Sequence, residues 1–156
     1  MPLRCCAAGR RRARRSADGK DIDVIQLDPE DLEEVRRVAR EYSEAFRLAD
    51  SRRALELTIL PVVDCIDLGS RAGVYLMDAG EFAHLVEEHR HEDFTTEIIS
   101  LDIQPLGKNA ALARVEAEVR KPDGRVGQVE WVEFLARTAE GWKVWANWLG
   151  PYPEGF

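Results

Sequence analysis

Between Ala110 and Gly150 apolar and polar residues alternate with a period of two, in three successive runs. Ala111, Ala113, Val115, Ala117 and Val119 alternate with Leu112, Arg114, Glu116, Glu118 and Arg120, the pattern of a half-buried strand. Asp123-Gly124 follows, a dipeptide suited to the positive φ values of a two-residue type I′ hairpin turn. That turn sets a register: Val119 opposes Gln128, Ala117 opposes Glu130, Val115 opposes Val132 and Ala113 opposes Phe134. A second turn at Ala139-Glu140-Gly141 reads as a three-residue loop with glycine in the left-handed position. It pairs Thr138 with Trp142, Ala136 with Val144, Phe134 with Ala146 and Val132 with Trp148.

Opposed residues share a face, so this register predicts a core face of Ala113, Val115, Ala117, Val119, Val132, Phe134, Trp142, Val144, Ala146 and Trp148. It also turns Gln128 and Glu130 inward. A carboxylate on an apolar face calls for an explanation. One reading is a pocket with an aromatic wall and an acid/base; the other is a core that stops there, leaving Glu130 in water. The opposite face receives Arg114 against Glu133 as a cross-strand ion pair, with Leu112, Trp131, Leu135, Trp145 and Leu149. So much apolar surface marks a partner surface, read here as a homodimer interface through Trp131, Trp145, Leu112 and Leu135. The competing occupant is the chain's own C-terminal segment, residues 151–156.

Upstream, Asp28-Pro29-Glu30-Asp31 starts a helix: Asp28 caps, Pro29 suits the first turn, and the two acids favour its positive end. Leu32, Val35, Val38, Ala39, Tyr42, Ala45, Phe46 and Ala49 follow at helical spacing, so the helix lies across the core face of the sheet. Tyr42 falls inside that stripe, where its hydroxyl needs a partner. Asp50-Ser51 caps a short helix from Arg52 to about Leu60, ended by Pro61. Val62–Asp67 and Val74–Met77 read as short strands. Asp78-Ala79-Gly80-Glu81 is a capping box opening a third helix with Phe82, Leu85, Val86 and His89 on one side. Phe94–Gln104 reads as a long strand.

Charge divides the 156 residues unevenly. Residues 1–20 hold seven cationic side chains against Asp18, a net of +6, which leaves −13 for the rest of a chain whose overall charge is −7. The first twenty residues read as a disordered basic tail, and residues 21–156 as one domain. The tail is an extension without consequence, a transit-peptide-like start, or a tether to nucleic acid or anionic lipid. The acidic domain surface argues against nucleic-acid binding by the folded part. Cys5, Cys6 and Cys65 form no disulfide framework, which fits a cytoplasmic location. No apolar run approaches the ~20 residues of a membrane span. His84, His89 and His91 lack the spacing of a helical metal pair, so no metal site is expected, and no cofactor motif is present. His84 or His89 remains within reach of the pocket and its carboxylates.

The order of a long capped helix, a short helix, two short strands, a helix and long antiparallel strands resembles the nuclear-transport-factor-like superfamily. Within it, the chain resembles the small bacterial SnoaL-like and lumazine-binding-like proteins. The residues that carry the resemblance are Glu41-Tyr42 with Ala49-Asp50, Asp78-Ala79-Gly80-Glu81-Phe82, and Glu140-Gly141-Trp142-Lys143-Val144. It spans about Asp28 to Gly150. The resemblance implies an α+β fold: a cone-shaped, curved antiparallel sheet wrapped by three helices, with an apolar pocket and often a dimer. Relatives include isomerases, dehydratases, epoxide hydrolases, cyclases and binding proteins without activity, so fold alone does not transfer function. No complete catalytic set of those enzymes carries over. The expectation is a small-molecule pocket protein acting on a small apolar, polyketide- or steroid-like molecule without cofactor. Glu130 would be the acid/base, assisted by Tyr42 and His84, and Gln128, Trp148, Phe134, Tyr75 and Val132 would line the site. The alternative is a non-catalytic ligand-binding or dimerisation module.

Overall fold

A computed structural model describes residues 26–67, 72–91 and 93–151. The basic tail with Cys5 and Cys6, and the C-terminal segment from residue 152, lie outside the described residues. So does the His91 side chain.

Helix α1 spans Pro29–Arg47, with Asp28 accepting a hydrogen bond from the Asp31 amide at 2.9 Å. Helix α2, Ser51–Glu56, is capped by Asp50 and is shorter than its sequence pattern suggested. β-branched Thr58 and Ile59 already belong to strand β1, Thr58–Asp67, as β propensity favours. Strand β2 is Ala72–Met77, and helix α3, Ala79–Glu88, opens on the full Asp78/Glu81 capping box. A 3-10 turn, His89–His91, leads to β3, Thr95–Pro105. Strands β4 (Ala110–Arg120), β5 (Val126–Thr138) and β6 (Gly141–Leu149) complete a six-stranded sheet in the order β2-β1-β6-β5-β4-β3. Every neighbouring pair is antiparallel except β1 and β6, which run parallel. Among the described residues no helix is long and apolar enough to cross a membrane.

The β4–β5 hairpin corrects the sequence reading. Ala113 opposes Glu133, Val115 opposes Trp131, Ala117 opposes Val129 and Val119 opposes Gly127, one residue away from the expected register. The cause is Pro122. A proline has no N–H for a ladder position, and its φ near −65° suits the second residue of a type I turn. The Lys121 carbonyl accepts from the Gly124 amide at 3.0 Å, and the Lys121 amide donates to the Arg125 carbonyl at 2.9 Å. Gly124, at φ +88°, takes the left-handed position. The loop is thus Pro122-Asp123-Gly124, three residues instead of two, and each residue of β5 exchanges faces. At the second turn Thr138 pairs with Gly141, and a bulge between Phe134/Leu135 and their β6 partners restores Phe134 opposite Ala146 and Val132 opposite Trp148.

Helix α1 crosses the inner face. Val35, Val38, Ala39, Tyr42 and Ala45 are buried with Ala54, Phe82, Val86, Ala111, Ala113, Leu135, Trp142 and Val144 in one core. Asp31 fastens the helix to the sheet. Its buried carboxylate accepts from Trp142 Nε1 at 3.0 Å and from Arg137 Nη1 at 2.7 Å.

Candidate functional site

Beyond the packed core, the inner face opens into a cavity of about 530 Å³, within the range of small-molecule sites. Its walls come from α1 (Tyr42, Ser43, Phe46), β1 (Asp64, Ile66), α3 and its following turn (Leu85, His89), β3 (Thr96, Ile98), β5 (Val129, Trp131) and β6 (Asn147, Trp148, Leu149), with Phe94 ahead of β3. The Glu44–Arg47 ion pair of α1 also borders it.

The polar groups sit in a connected cluster. Parallel pairing sets Asp64 of β1 beside Asn147 of β6. The Asn147 amide donates to Asp64 Oδ1 at 2.6 Å and accepts from the Tyr42 hydroxyl at 2.9 Å. Asp64 shares the inward face of β1 with Val62 and Ile66 and is buried. Burial raises its pKa, against the Asn147 hydrogen bond and the nearby His89, which pull it down. The Tyr42 phenol is pushed well above its ordinary value, first by burial and then by the carboxyls of Glu133 and Asp64, so it stays a hydrogen-bond donor. His89 meets the Phe46 ring edge-on at 5.0 Å, with Nδ1 3.1 Å from the Leu85 carbonyl.

A second buried acid adjoins the cavity. Glu133 of β5 has 0% of its surface exposed. Its Oε1 accepts from Trp131 Nε1 at 3.0 Å and lies 2.9 Å from Ser43 Oγ, while Oε2 has no hydrogen-bond partner. Burial pushes its pKa up to about 8, although both hydrogen bonds pull the other way.

Of the residues expected in the site, Tyr42 and Trp148 line the cavity. Glu130 does not. The one-residue change in register puts it on the outer face of the sheet, where Arg114 binds both of its carboxylate oxygens at 2.7 Å. Arg114 therefore pairs with Glu130, and Glu133 is not its partner. The same shift carries Gln128, Val132 and Phe134 outward; Gln128 is exposed, and Phe134 packs against Trp145 at 5.8 Å. Trp131 and Leu135, expected at a dimer interface, are inside: Trp131 lines the cavity and Leu135 is fully buried. Leu149 also lines the cavity, whereas Leu112 and Trp145 remain on the outer face opposite and beside Phe134. Tyr75 opposes Asp64 on β2, yet 37% of its surface is exposed and its ring lies over Gly73 of its own strand. His84 points to solvent beside Glu88, and it is His89, one further turn along, that reaches the cavity. Among the described residues no group of His, Cys, Asp and Glu is arranged to hold a metal ion.

Sequence reasoning thus missed Asp64, Asn147, Ser43 and Glu133. A signal for Glu133 was present. Val129, Trp131, Glu133 and Leu135 form a more apolar alternating set than Gln128, Glu130, Val132 and Phe134, and the more apolar set belongs inside.

No protein-family model matches the sequence, and no curated protein matches it. Solved structures do resemble it. An NTF2-like protein with a cystatin-like fold from Novosphingobium aromaticivorans superposes with a TM-score of 0.62 at 19% identity, covering 81% of this chain and 84% of that one. A proposed dehydratase of the NTF2-like family from Streptomyces avermitilis gives 0.61 at 18% identity, covering 78% and 96%. The association domain of C. elegans CaMKII gives 0.63 at 10% identity, covering 78% and 95%. At such identities the likeness concerns the fold, and the chain has the cystatin-like α+β fold of NTF2-like proteins, with a curved six-stranded sheet and three helices.

Proposed function

We propose that this chain binds a small, mainly apolar, polyketide- or steroid-like molecule in the inner cavity and acts on it without cofactor, as an isomerase, cyclase, dehydratase or hydrolase. The observation that carries the reading is Asp64: a buried carboxyl on the wall of an aromatic cavity, held in orientation by Asn147, which Tyr42 holds in turn. Burial raises the pKa of this carboxyl, which makes it a stronger base than an ordinary carboxylate and suits it to take and return a proton. The His89 imidazole stands near it on the cavity wall. The phenol of Tyr42 and the amide of Asn147 provide fixed dipoles for an oxygen on which charge develops. The name of the Streptomyces avermitilis neighbour accords with such chemistry.

Native mass spectrometry of the purified chain, followed by a thermal-shift screen of aromatic polyketides and steroids, tests the binding half. Retention of a ligand by the wild type, with turnover lost in Asp64→Asn while the ligand is still bound, is the expected result. Turnover unchanged in Asp64→Asn would remove Asp64 from the chemistry.

A second reading, a dimerisation module, is favoured by the outer face. Leu112, Phe134 and Trp145 form an apolar patch there, with Trp145 41% exposed, and exposed patches of this kind mark interaction surfaces. One solved neighbour is named an association domain. Sedimentation should give a dimer that Trp145→Ser weakens; a wild-type monomer at micromolar concentration would eliminate the homodimer.

A further inference from the structure

We propose that Glu133 is a proton-linked positioning residue of the cavity: through one carboxyl oxygen it orients the Ser43 hydroxyl and the Trp131 indole, and gain or loss of its proton rewires both. This rests on the cavity being a binding site, but it is tested without any ligand.

Ser43 Oγ lies 3.0 Å from the Ala39 carbonyl and 2.9 Å from Glu133 Oε1. A hydroxyl has one hydrogen, so it cannot donate to both. With Glu133 neutral, the carboxyl hydrogen on Oε1 is given to Ser43 Oγ, and Ser43 donates onward to Ala39. Trp131 Nε1–H still points at Oε1. Each hydrogen is used once, and the unpartnered Oε2 is then an uncharged carbonyl oxygen. With Glu133 ionised, both Ser43 and Trp131 must donate to Oε1, the Ala39 carbonyl loses its extra partner, and Oε2 becomes an anionic oxygen in a dry site. The second arrangement is the costly one, in keeping with the direction of the pKa.

The surroundings leave Glu133 as the group that decides. It opposes Ala113 of β4 and Asn147 of β6, neither of which carries charge. From α1 it faces Ser43 and the protonated Tyr42. Asp64 of β1 stands beyond Asn147, with His89 near it, and Glu44 and Arg47 neutralise one another along α1. Because Ser43 and Trp131 line the cavity, the neutral acid fixes one wall, and ionisation tightens Trp131 while placing negative charge behind it.

The indole N–H of Trp131 reports this directly. In ¹H–¹⁵N spectra recorded from pH 6 to 10, one of the four tryptophan indole resonances should move with a midpoint near 8. That resonance should be the one missing in Trp131→Phe. It should be pH-independent in Glu133→Gln, which cannot ionise, and unchanged in midpoint in Asp64→Asn. A flat Trp131 indole in the wild type, or a titration that persists in Glu133→Gln, overturns the proposal. Should Trp131→Phe fail to fold, ¹³C-carboxyl labelling of wild-type glutamates gives the same answer: one must titrate near pH 8, and all titrating below 6 overturns it. None of these outcomes depends on ligand retention, so the inference and the pocket reading fail separately.

Discussion

Arg114 grips Glu130 across the outer face of β4 and β5, its Nε and Nη2 each 2.7 Å from a carboxylate oxygen. The guanidinium holds this carboxyl below the usual range, the reverse of what a pocket acid near neutral pH requires. Solvent-exposed pairs of this kind add little stability. Glu130→Gln should therefore keep a near-wild-type melting temperature and full ligand retention. Loss of a ligand from that variant, by native mass spectrometry, would contradict the placement.

Glu133 makes stability depend on pH in a definite direction. Its folded pKa of about 8 lies above the ordinary 4.5, so the stability associated with its bound proton is full below about pH 4.5. It is lost as pH rises through about 8, at a rate of up to about 1.4 kcal/mol per pH unit. Glu133→Gln cannot ionise. Thermal melts should show the variant gaining several degrees on wild type between pH 4 and pH 9. A difference that stays constant over that range would mean that Glu133 ionises at no cost.

Asp31 joins α1 to the end of the sheet farthest from the cavity, accepting from Trp142 and Arg137. Asp31→Ala leaves the buried indole N–H without an acceptor, a loss of about 1–3 kcal/mol. Urea unfolding should show that decrease with the slope unchanged. The cavity lies at the other end, so ligand retention in folded Asp31→Ala should match wild type.

Gly124 holds the left-handed corner of the β4–β5 hairpin at φ +88°. A Cβ there meets no atom within 4 Å, so Gly124→Ala tests backbone strain alone and should cost about 1–2 kcal/mol. A fully neutral Gly124→Ala would mean that the three-residue turn does not set the register.

Helix starts were legible because the signals are local: Asp28 with Pro29, and Asp78 with Glu81, satisfy the first-turn amides within three residues of themselves; the end of α2 was not, because Thr58 and Ile59 join a strand. The faces of β4 were legible because its alternation is strict, and Ala113, Val115, Ala117 and Val119 are all fully buried. The faces of β5 hinged on whether Pro122 stands in the ladder or in the turn, a choice of one residue that transfers every later side chain. Asp64 and Asn147 were out of reach for another reason. Their partnership arises from the parallel contact of β1 and β6, 83 residues apart in sequence, and no local pattern encodes which strands become neighbours.

The extra residue in β6 has a consequence for how this protein tolerates change. Val144 belongs to the packed core and Asn147 to the cavity, three positions apart on a strand whose side chains otherwise alternate. The two halves of β6 are consequently out of phase, with Trp145 displaced outward between them. Deleting Trp145 would bring Val144 and Asn147 to the two-residue spacing of a regular strand, with Leu135, Phe134 and Glu133 keeping Val144, Ala146 and Asn147 as partners. A single-codon loss at the bulge would thus remove the exposed tryptophan and leave Asn147 beside Asp64, whereas a residue lost between Ala146 and Asn147 would turn the group that holds Asp64 outward.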